Sequence, residues 1–497
     1  MIFRPIAGRR LWDTWLFPWE NRYHLFFLES HHKNGDYVGH AISEDLIHWQ
    51  ALKSIQTRGS EGSWNSSTTL TGCVVHHQGL FYMFVGAYDD VECIGVYTSP
   101  DLETWQACPD NPILKPKGPY YCETCSPFIW PVDWRDPDIV WRQEDKHYHA
   151  VVCARLPKWG HDNTGAALGH LRSKDLIHWE YLPPFATPGE YFFHTEVPSI
   201  FELGGRFYLA FNTASLGGIK IDTPSREHAI GSFYLVAERY EGPYKLPDDP
   251  LLIGSGQGRR DACCARTIEY QGGRLLYHHI DAKRPTWGSP KIVQTRVDGS
   301  LWLQYTPILE KLETETIPTS LNDVFKIVSS DMGIWKKYHD GLCGKAKVVG
   351  TAYKLAGEVA DLHFQCKISM IFKTGCAGVV FRGFNGERGV AITLNFTKQR
   401  IEISNATGET FEMKGYDSNF GWTTMMRDST SCSLTQGQSY HLRCFVRDEH
   451  FEAYLDDRWI FTTVMKDAPK KGDVELCVER GEATFTNLRL VNIEPFA

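Results

Sequence analysis

The chain has 497 residues and a formal net charge of −8, with acidic and basic side chains interspersed and no long run of either sign. The chain is longer than one ordinary domain, so we expect two domains. The charge pattern does not indicate a surface that binds the phosphate backbone of nucleic acids, so we expect no nucleic-acid partner. Aromatic side chains make up 13% of the sequence, which favours β-strands and sites that stack on sugar rings.

The N-terminal segment MIFRPIAGRRLWDTW contains no apolar run of the length that a secretory signal needs. No stretch approaches the length and hydrophobicity of a membrane span. The 14 cysteines are scattered along the chain and indicate free thiols in a reducing compartment. We therefore expect a cytoplasmic protein with no membrane partner.

One short motif occurs three times, as SEDLIHW (43–49), SPDLETW (99–105) and SKDLIHW (173–179). Each copy follows a short apolar run and supplies turn residues, an apolar anchor and a tryptophan. This order is typical of a strand-turn-strand unit, and its recurrence predicts a repeat architecture.

Further hairpin signals have a polar or glycine turn followed by alternating apolar and aromatic residues. They are HHQGLFYMFVGAY (76–88), QEDKHYHAVVCAR (143–155), ELGGRFYLAFNT (202–213) and YQGGRLLYHHI (270–280). With YHLFFLES (23–30) they give five units, and almost nothing before residue 305 has helical periodicity. Four-stranded sheets without helices between them pack best radially, so we predict a five-bladed β-propeller.

The remainder of the chain divides into two parts. Residues 306–332 are more polar and less aromatic, as in a linker. Residues 333–497 contain short alternating strands, such as RGVAITLNF and SYHLRCFVRD, at the intervals typical of a sandwich. The predicted fold is therefore all-β, with a propeller domain (1–305), a linker (306–332) and a β-sandwich domain (333–497).

Three acidic residues stand where the inner strand of a predicted blade begins: Asp13 in LWDTW, Asp136 in DWRDPDIVW and Glu196 in HTEVPSIFEL. Taken singly, each also fits a structural role in a turn or at a strand edge. A propeller brings equivalent positions of its blades to one axis, where converging carboxylates repel one another unless their pKa values diverge. Such arrangements usually mark function, and two carboxylates flanking one bond suit glycosidic cleavage.

Other residues near the predicted blade entries are candidate contacts for a carbohydrate substrate. The tryptophans would supply stacking faces and an apolar wall. For the polar residues of GSWNSSTTL (62–70) a plain turn is the alternative, and the acid of GRRDACCART (258–267) is expected to line the funnel. The candidates are Trp12, Trp15, Trp64, Asn65, Ser66, Trp134 and Asp261.

The segments RDPDIVW and TEVPSIFEL, on five predicted blades followed by a sandwich, resemble glycoside hydrolase family 32. This family contains invertases and fructanases and shares a clan, and a five-bladed propeller, with family 68; family 32 adds a C-terminal sandwich. Its Arg-Asp-Pro motif is matched in full by Arg135, Asp136 and Pro137. The resemblance implies that Asp136 stabilises the transition state by gripping fructose hydroxyls and that Arg135 contributes to the same substrate site.

Two further motifs match in part. The family's Glu-Cys-Pro is Glu196, Val197 and Pro198 here, and the resemblance makes Glu196 the acid/base. LWDTW differs from the usual Trp-Met-Asn-Asp-Pro-Asn-Gly and is closer to the Trp-Asp-Ser/Thr-Trp of the family 68 levansucrases. Both patterns place the nucleophilic aspartate at Asp13.

The resemblance implies a retaining hydrolase of β-D-fructofuranosyl linkages in sucrose, fructo-oligosaccharides or fructan fragments. Transfer of the fructosyl group to another sugar would use the same residues. The alternatives are an arabinofuranosidase or other furanosidase on a related five-bladed propeller, and a non-catalytic carbohydrate-binding propeller. The proposed roles are filled by carboxyl groups and no cluster has the spacing of metal ligands, so we expect no metal and no cofactor.

Overall fold

The computed structural model describes residues 2–30, 35–88, 91–124, 133–213, 218–319, 333–383, 388–411 and 419–496. The chain forms two compact units. The first comprises Met1–Thr223, Ile230–Gly254 and Ala262–Ile308, and the second comprises Pro224–Ala229, Ser255–Asp261 and Leu309–Ala497. Residues 320–332 of the expected linker lie outside the described residues. In the described part of the chain, no helix has the length and apolar character needed to cross a membrane.

The first unit is an all-β propeller. Among its described residues, four sheets are formed by strands that follow one another in the chain, namely β1–β5, β6–β9, β10–β13 and β14–β17. Strands β18–β22 pair in the same sequential way. We call these five groups sets 1 to 5. The strands are β1 (Arg10–Trp19), β2 (Arg22–Ser30), β3 (Gly35–Ser43), β4 (Gln50–Ala51), β5 (Ile55–Gln56), β6 (Thr68–His77), β7 (Leu80–Tyr88), β8 (Glu92–Ser99), β9 (Gln106–Ala107), β10 (Trp134–Arg142), β11 (His147–Arg155), β12 (Ala166–Ser173), β13 (Trp179–Ala186), β14 (Glu196–Leu203), β15 (Arg206–Thr213), β16 (Ile230–Ala237), β17 (Leu251–Ser255), β18 (Cys263–Tyr270), β19 (Gly273–Ile280), β20 (Thr286–Trp287), β21 (Lys291–Thr295) and β22 (Leu301–Gln304).

The first strands of the five sets form a closed ring. Strand β1 contacts β6, β6 contacts β10, β10 contacts β14, β14 contacts β18, and β18 contacts β1. Apolar side chains of neighbouring sets pack into shared cores, one between sets 1 and 2, one between sets 2 and 3, and one between sets 3 and 4. The entries of all five first strands therefore lie around one axis.

The repeated motif forms the same turn in sets 1, 2 and 3, between the third and fourth strands. In the copy at 173–179, the carboxylate of Asp175 accepts hydrogen bonds from the backbone N–H groups of Ile177 and His178. The indole of Trp179 donates to the carbonyl of Leu176, which is buried and has a φ of 67°. Asp45 and Asp101 make equivalent bonds. The motif recurs because one aspartate satisfies the donors of a tight turn.

The second unit is also built of strands. Its core contains buried apolar side chains from β25 to β34 and none of the predicted catalytic residues. The longest strand, β34, pairs with β25 from Gly472 to Thr486 and with β23 at Val491 and Ile493. It also pairs with β27 from Asp473 to Glu479 and with β26 from Ala483 to Asn492. The strands are β23 (Glu313–Thr316), β24 (Gly333–Tyr338), β25 (Gly341–Val359), β26 (Leu362–Met370), β27 (Cys376–Gly383), β28 (Arg388–Asn395), β29 (Arg400–Phe411), β30 (Asn419–Ser431), β31 (Ser439–Arg447), β32 (His450–Leu455), β33 (Arg458–Val464) and β34 (Gly472–Ile493); a 3₁₀ helix, Pro307–Leu312, precedes β23.

Candidate active site

Each first strand of the propeller contains a β-bulge near its start, where two residues oppose one on the second strand. A bulge bends the strand and redirects the side chains that it carries. Proline has no backbone N–H to donate to a neighbouring strand, so within strands it is tolerated at bulges. Two of the five bulges contain a proline. The bulge pairs are Trp12–Asp13, Leu70–Thr71, Asp136–Pro137, Val197–Pro198 and Cys264–Ala265.

The three predicted catalytic acids stand at three different positions relative to these bulges. Glu196 precedes its bulge, Asp136 is the first bulge residue and Asp13 is the second. This corrects the expectation that the acids occupy equivalent positions. The first bulge residue has a positive φ in three sets, at Asp136 (57°), Val197 (47°) and Cys264 (54°). Such backbone is rare for residues other than glycine, especially for a β-branched valine, and clusters at functional sites.

Arg135 links two of the three acids. Its Nη2 donates to Oε1 of Glu196 at 3.0 Å, and its Nε lies 3.4 Å from Oδ2 of Asp136. The backbone N–H of Val197 donates to the same Asp136 oxygen at 3.0 Å. The planar guanidinium therefore fixes the carboxyls of Asp136 and Glu196 relative to each other.

Two further acids, which were not predicted from the sequence, contact the Arg135 guanidinium at Nη1. Its Nη1 donates to Oε2 of Glu92 at 2.9 Å and to Oδ1 of Asp133 at 2.6 Å. Asp133 also pairs with buried Arg155. Burial opposes ionisation of Asp133, but Arg135, His194 and Arg155 together hold its pKa well below the ordinary value. Asp133 lies two residues before the Arg-Asp-Pro motif, and Glu92 is distant from it in the chain.

The burial of the three predicted catalytic acids is unequal. The side chain of Asp136 is 4% exposed, whereas those of Asp13 and Glu196 are 22% and 29% exposed. Burial raises the pKa of Asp136 to about 7; Arg135 opposes this shift, while Asp13 and Glu196 add to it. The pKa of Asp136 is raised because its carboxyl is buried close to two other acids.

Asp13 contacts residues from three other strands. The hydroxyl of Thr71, on β6, donates to Oδ2 of Asp13 at 2.5 Å. Nδ1 of His279, on β19, lies 3.7 Å from Oδ1. Cys264, on β18, makes a side-chain hydrogen bond with Asp13, and burial followed by the charge of Asp13 raises the pKa of its thiol. Thr71, Cys264 and His279 were not singled out from the sequence. Cys264 and His279 lie in GRRDACCART (258–267) and YQGGRLLYHHI (270–280), but nothing in these segments relates either residue to Asp13.

The structure places two of the predicted sugar contacts in the cores. Trp15 is 2% exposed and stacks on Phe26. Trp134 is fully buried and lies against Tyr181. Neither ring presents a face to a sugar, which corrects the expectation that they form its stacking wall.

The other two predicted tryptophans remain partly exposed. Trp12 donates from its indole nitrogen to Ser30 and has the guanidinium of Arg10 5.2 Å from its ring centroid. Trp64 lies so close to Gly95 that a Cβ on the glycine would clash with the ring. Both rings are therefore held in place, with part of their surface open.

The remaining predicted contacts have structural partners. Buried Asn65 donates to the carbonyl of Thr57 and accepts from Ser63, and half-buried Ser66 lies in the same turn. Asp261 belongs to the second unit, where it accepts from Arg259 and from the backbone N–H of Val464. The first unit therefore does not bring Asp261 together with the three acids.

The site geometry agrees with a sequence-family match. Residues 15–245 match the model described as "Glycosyl hydrolases family 32 N-terminal domain". This region is therefore similar to the N-terminal domain of family 32. The match contains Asp136 and Glu196 and begins two residues after Asp13, and it confirms the family resemblance inferred from the motifs.

The curated relatives of this chain include plant enzymes. Vacuolar acid beta-fructofuranosidase 4 of Arabidopsis thaliana is 28% identical over 151 residues, which are 28% of this chain and 21% of the relative. A bifunctional fructosyltransferase of Allium cepa is 31% identical over 175 residues, which are 32% of this chain and 26% of the relative. These alignments span about a fifth to a quarter of the relatives' length.

Solved family 32 structures share the fold along nearly the whole chain. A beta-fructofuranosidase from Bombyx mori has a TM-score of 0.69 at 16% identity, covering 99% of this chain and 93% of that one. An exo-inulinase from Aspergillus awamori also has a TM-score of 0.69, at 14% identity, covering 99% of this chain and 98% of that one. At such identities the likeness establishes the fold.

Proposed function

We propose that this protein is a retaining glycoside hydrolase that cleaves β-D-fructofuranosyl linkages of sucrose, fructo-oligosaccharides or fructan fragments. The observation that carries this proposal is the single guanidinium of Arg135, which orients Asp136 and Glu196 inside the family 32 region. Both the curated and the solved relatives reported above act on fructosyl substrates according to their names.

In the proposed mechanism, Glu196 gives its proton to the leaving-group oxygen while a carboxylate oxygen of Asp13 forms a bond to the anomeric carbon. Water then releases the fructosyl group, with Glu196 taking a proton from that water. The hydrogen bond from Thr71 fixes the orientation of the Asp13 carboxylate. Asp136, buried beside both acids, binds fructose hydroxyls more strongly as positive charge develops on the ring.

The proposal is tested by a release assay on fructosides and arabinofuranosides, with the anomeric form of the first product followed by NMR. Release of fructose with its anomeric configuration retained is the expected result. Release of arabinose, or inversion, would replace the proposal by another furanosidase reaction. Binding of fructosides without release would leave a carbohydrate-binding propeller.

Fructosyl transfer is a second candidate, because the Allium cepa relative is named as a bifunctional fructosyltransferase. Transfer and hydrolysis differ only in whether a sugar hydroxyl or water reaches the covalent intermediate. Product analysis at high sucrose concentration separates them: transfer gives trisaccharides and excess free glucose, whereas hydrolysis gives equal glucose and fructose.

We also propose that sets 1 to 5 are the blades of a five-bladed propeller and that residues 333–497 form a β-sandwich. The closed ring of contacts among β1, β6, β10, β14 and β18 supports the blade count. The change of partner along β34, from β27 at Asp473–Glu479 to β26 at Ala483–Asn492, supports the sandwich. In this arrangement the second unit acts as a scaffold and supplies no catalytic residue.

A further inference from the structure

Three side chains of the types that ligate metals converge at the ring of first strands. They are Asp13 on β1, Cys264 on β18 and His279 on β19, and their ligand atoms all lie within 4.8 Å of one another. Because they are separated by up to 266 positions in the chain, motif spacing does not detect them. The absence of ligand spacing therefore did not exclude a metal site.

His279 is the member of this cluster whose bonding is incomplete. Its side chain is 4% exposed, and its Nδ1 has no hydrogen-bond partner among the described residues. That nitrogen is directed at the Asp13 carboxylate from 3.7 Å, beyond hydrogen-bond distance. A buried nitrogen left without a partner costs free energy, which a cation between the two groups would recover.

Oδ2 of Asp13 accepts the hydrogen bond from Thr71, and Oδ1 faces His279. The hydrogen bond between Cys264 and Asp13 is lost when the thiol is deprotonated, so a cation can take the place of the thiol proton. The carboxyl groups of Glu196 and Asp136 also lie near the cluster, since Glu196 interacts electrostatically with Cys264 and Asp136 with Asp13. Asp13 is 22% exposed, which gives solvent access to the cluster. A carboxylate, a sulfur and an imidazole suit zinc and similar divalent ions better than magnesium or calcium.

We propose that Asp13, Cys264 and His279 bind one zinc-like divalent cation, which inhibits the enzyme by occupying the carboxylate that would attack the anomeric carbon. On binding, the Cys264 thiol releases one proton to solvent and coordinates as the thiolate, because a coordinating thiol is deprotonated. Three protein ligands leave a fourth position for water. The inhibition rests on the proposed function, whereas binding of the ion does not.

The test titrates the full-length protein with Co²⁺ and follows the absorption band that a thiolate ligand gives on binding cobalt, with Zn²⁺ as competitor. We expect one ion per chain. Cys264→Ser should remove the thiolate band. His279→Gln should weaken cobalt binding by at least about tenfold, because even the mutation of a residue that only orients a metal ligand has an effect of this size. Cys73→Ser, which alters another buried thiol of the first unit, is the matched control and should bind as the wild type does.

Inhibition is measured in the same variants. Zn²⁺ should raise the apparent KM for sucrose, a chelator should restore the rate, and the half-inhibitory concentration should rise at least about tenfold in His279→Gln, in parallel with binding. No bound ion in the wild type, or a thiolate band that persists in Cys264→Ser, would overturn the proposed site. If Cys264→Ser does not fold, Asp13→Asn replaces it, and unchanged cobalt affinity there would equally overturn the site. Binding without turnover of any fructoside would refute the proposed function and leave the site supported.

Discussion

Arg135 is the residue on which the geometry of the proposed site depends, because it contacts Asp136 and Glu196 on one side and Glu92 and Asp133 on the other. Arg135→Lys should lower kcat by on the order of 10²-fold, because a single ammonium cannot orient two carboxyls as a planar fork does, and small misplacements at a site have this effect. Steady-state kinetics on sucrose measure it.

The matched control is Arg172→Lys, which alters an exposed pair with Glu180 in the same set of strands and should leave kcat unchanged. A full rate in Arg135→Lys would show that the two carboxyls do not need their shared donor.

The proton donor can be identified by leaving-group dependence. Glu196→Gln should reduce turnover of sucrose by about 10² to 10⁴-fold and that of an activated fructoside much less, since general acid help matters only for a basic leaving oxygen. Asp136→Asn should slow both substrates, and Asp13→Asn should abolish turnover of both. The opposite pattern for Glu196 and Asp136 would assign the proton to Asp136, the acid whose pKa is about 7.

Glu202→Gln is the control for Glu196→Gln, because Glu202 lies on the same strand and is exposed. It should retain the wild-type rate on both substrates. Stereochemical analysis of the products formed by the wild type completes the comparison, because a nucleophilic role for Asp13 requires retention.

At the scale of the element, the repeated turn is a stability device. Asp175→Ala removes the acceptor of two backbone N–H groups and should lower the free energy of unfolding by about 1–3 kcal/mol, at about 0.5–1.5 kcal/mol for each bond. Urea denaturation followed by tryptophan fluorescence measures the loss. The control is the exposed Asp248→Ala, and equal stability of the two variants would contradict the role assigned to the turn.

Some elements were predictable from the sequence because their cause is local. The Asp-Leu-x-x-Trp repeats identified the turns of sets 1 to 3, since one aspartate satisfies the donors of each turn. Asp136 and Glu196 were recognisable because proline follows them at the bulges.

The other site residues have no local cause. Thr71, Cys264 and His279 meet Asp13 through the ring of strands, which only the fold creates. Trp15 and Trp134 were misassigned because a bulge interrupts the alternation of strand faces, so position alone did not tell which side each ring takes.

At the scale of the whole molecule, two buried histidine pairs make folding sensitive to acid. His24 bonds to His40 at 3.0 Å, and His149 bonds to His170 at 2.8 Å. Burial lowers the pKa of His24 to about 4 and those of His40 and His170 to about 3, and it lowers the pKa of His149 as well.

Because these pKa values are lower in the folded than in the unfolded chain, the unfolded chain binds protons first as pH falls below about 6.5. Stability should therefore decrease from about pH 6.5 towards pH 4, as measured by urea denaturation at several pH values. His170→Gln should flatten this dependence, whereas His161→Gln, at an exposed position, should not.

The second unit includes two segments from earlier in the chain, 224–229 and 255–261. In the first, buried Arg226 donates to Asp428 at 2.9 Å and to Thr430 at 2.7 Å. Asp428→Ala leaves this guanidinium without its carboxylate and should lower the free energy of unfolding by about 3–5 kcal/mol, with KM unchanged. Exposed Asp467→Ala is the control. A loss below about 1 kcal/mol, the range of surface pairs, would indicate that water replaces the carboxylate.

The stepped placement of the three acids around the bulges has a consequence for how such a site can originate. Duplicating one blade would place the same acid at the same position relative to the bulge in every copy. The result would be a ring of like charges whose side chains share one orientation. Each bulge instead offers three non-equivalent positions, and this protein uses a different one in sets 1, 3 and 4. A single substitution in one copy can therefore add an acidic side chain with a new orientation towards the axis. The strand pairing in the other copies does not change. The symmetry of the scaffold and the asymmetry that bond cleavage requires are therefore compatible.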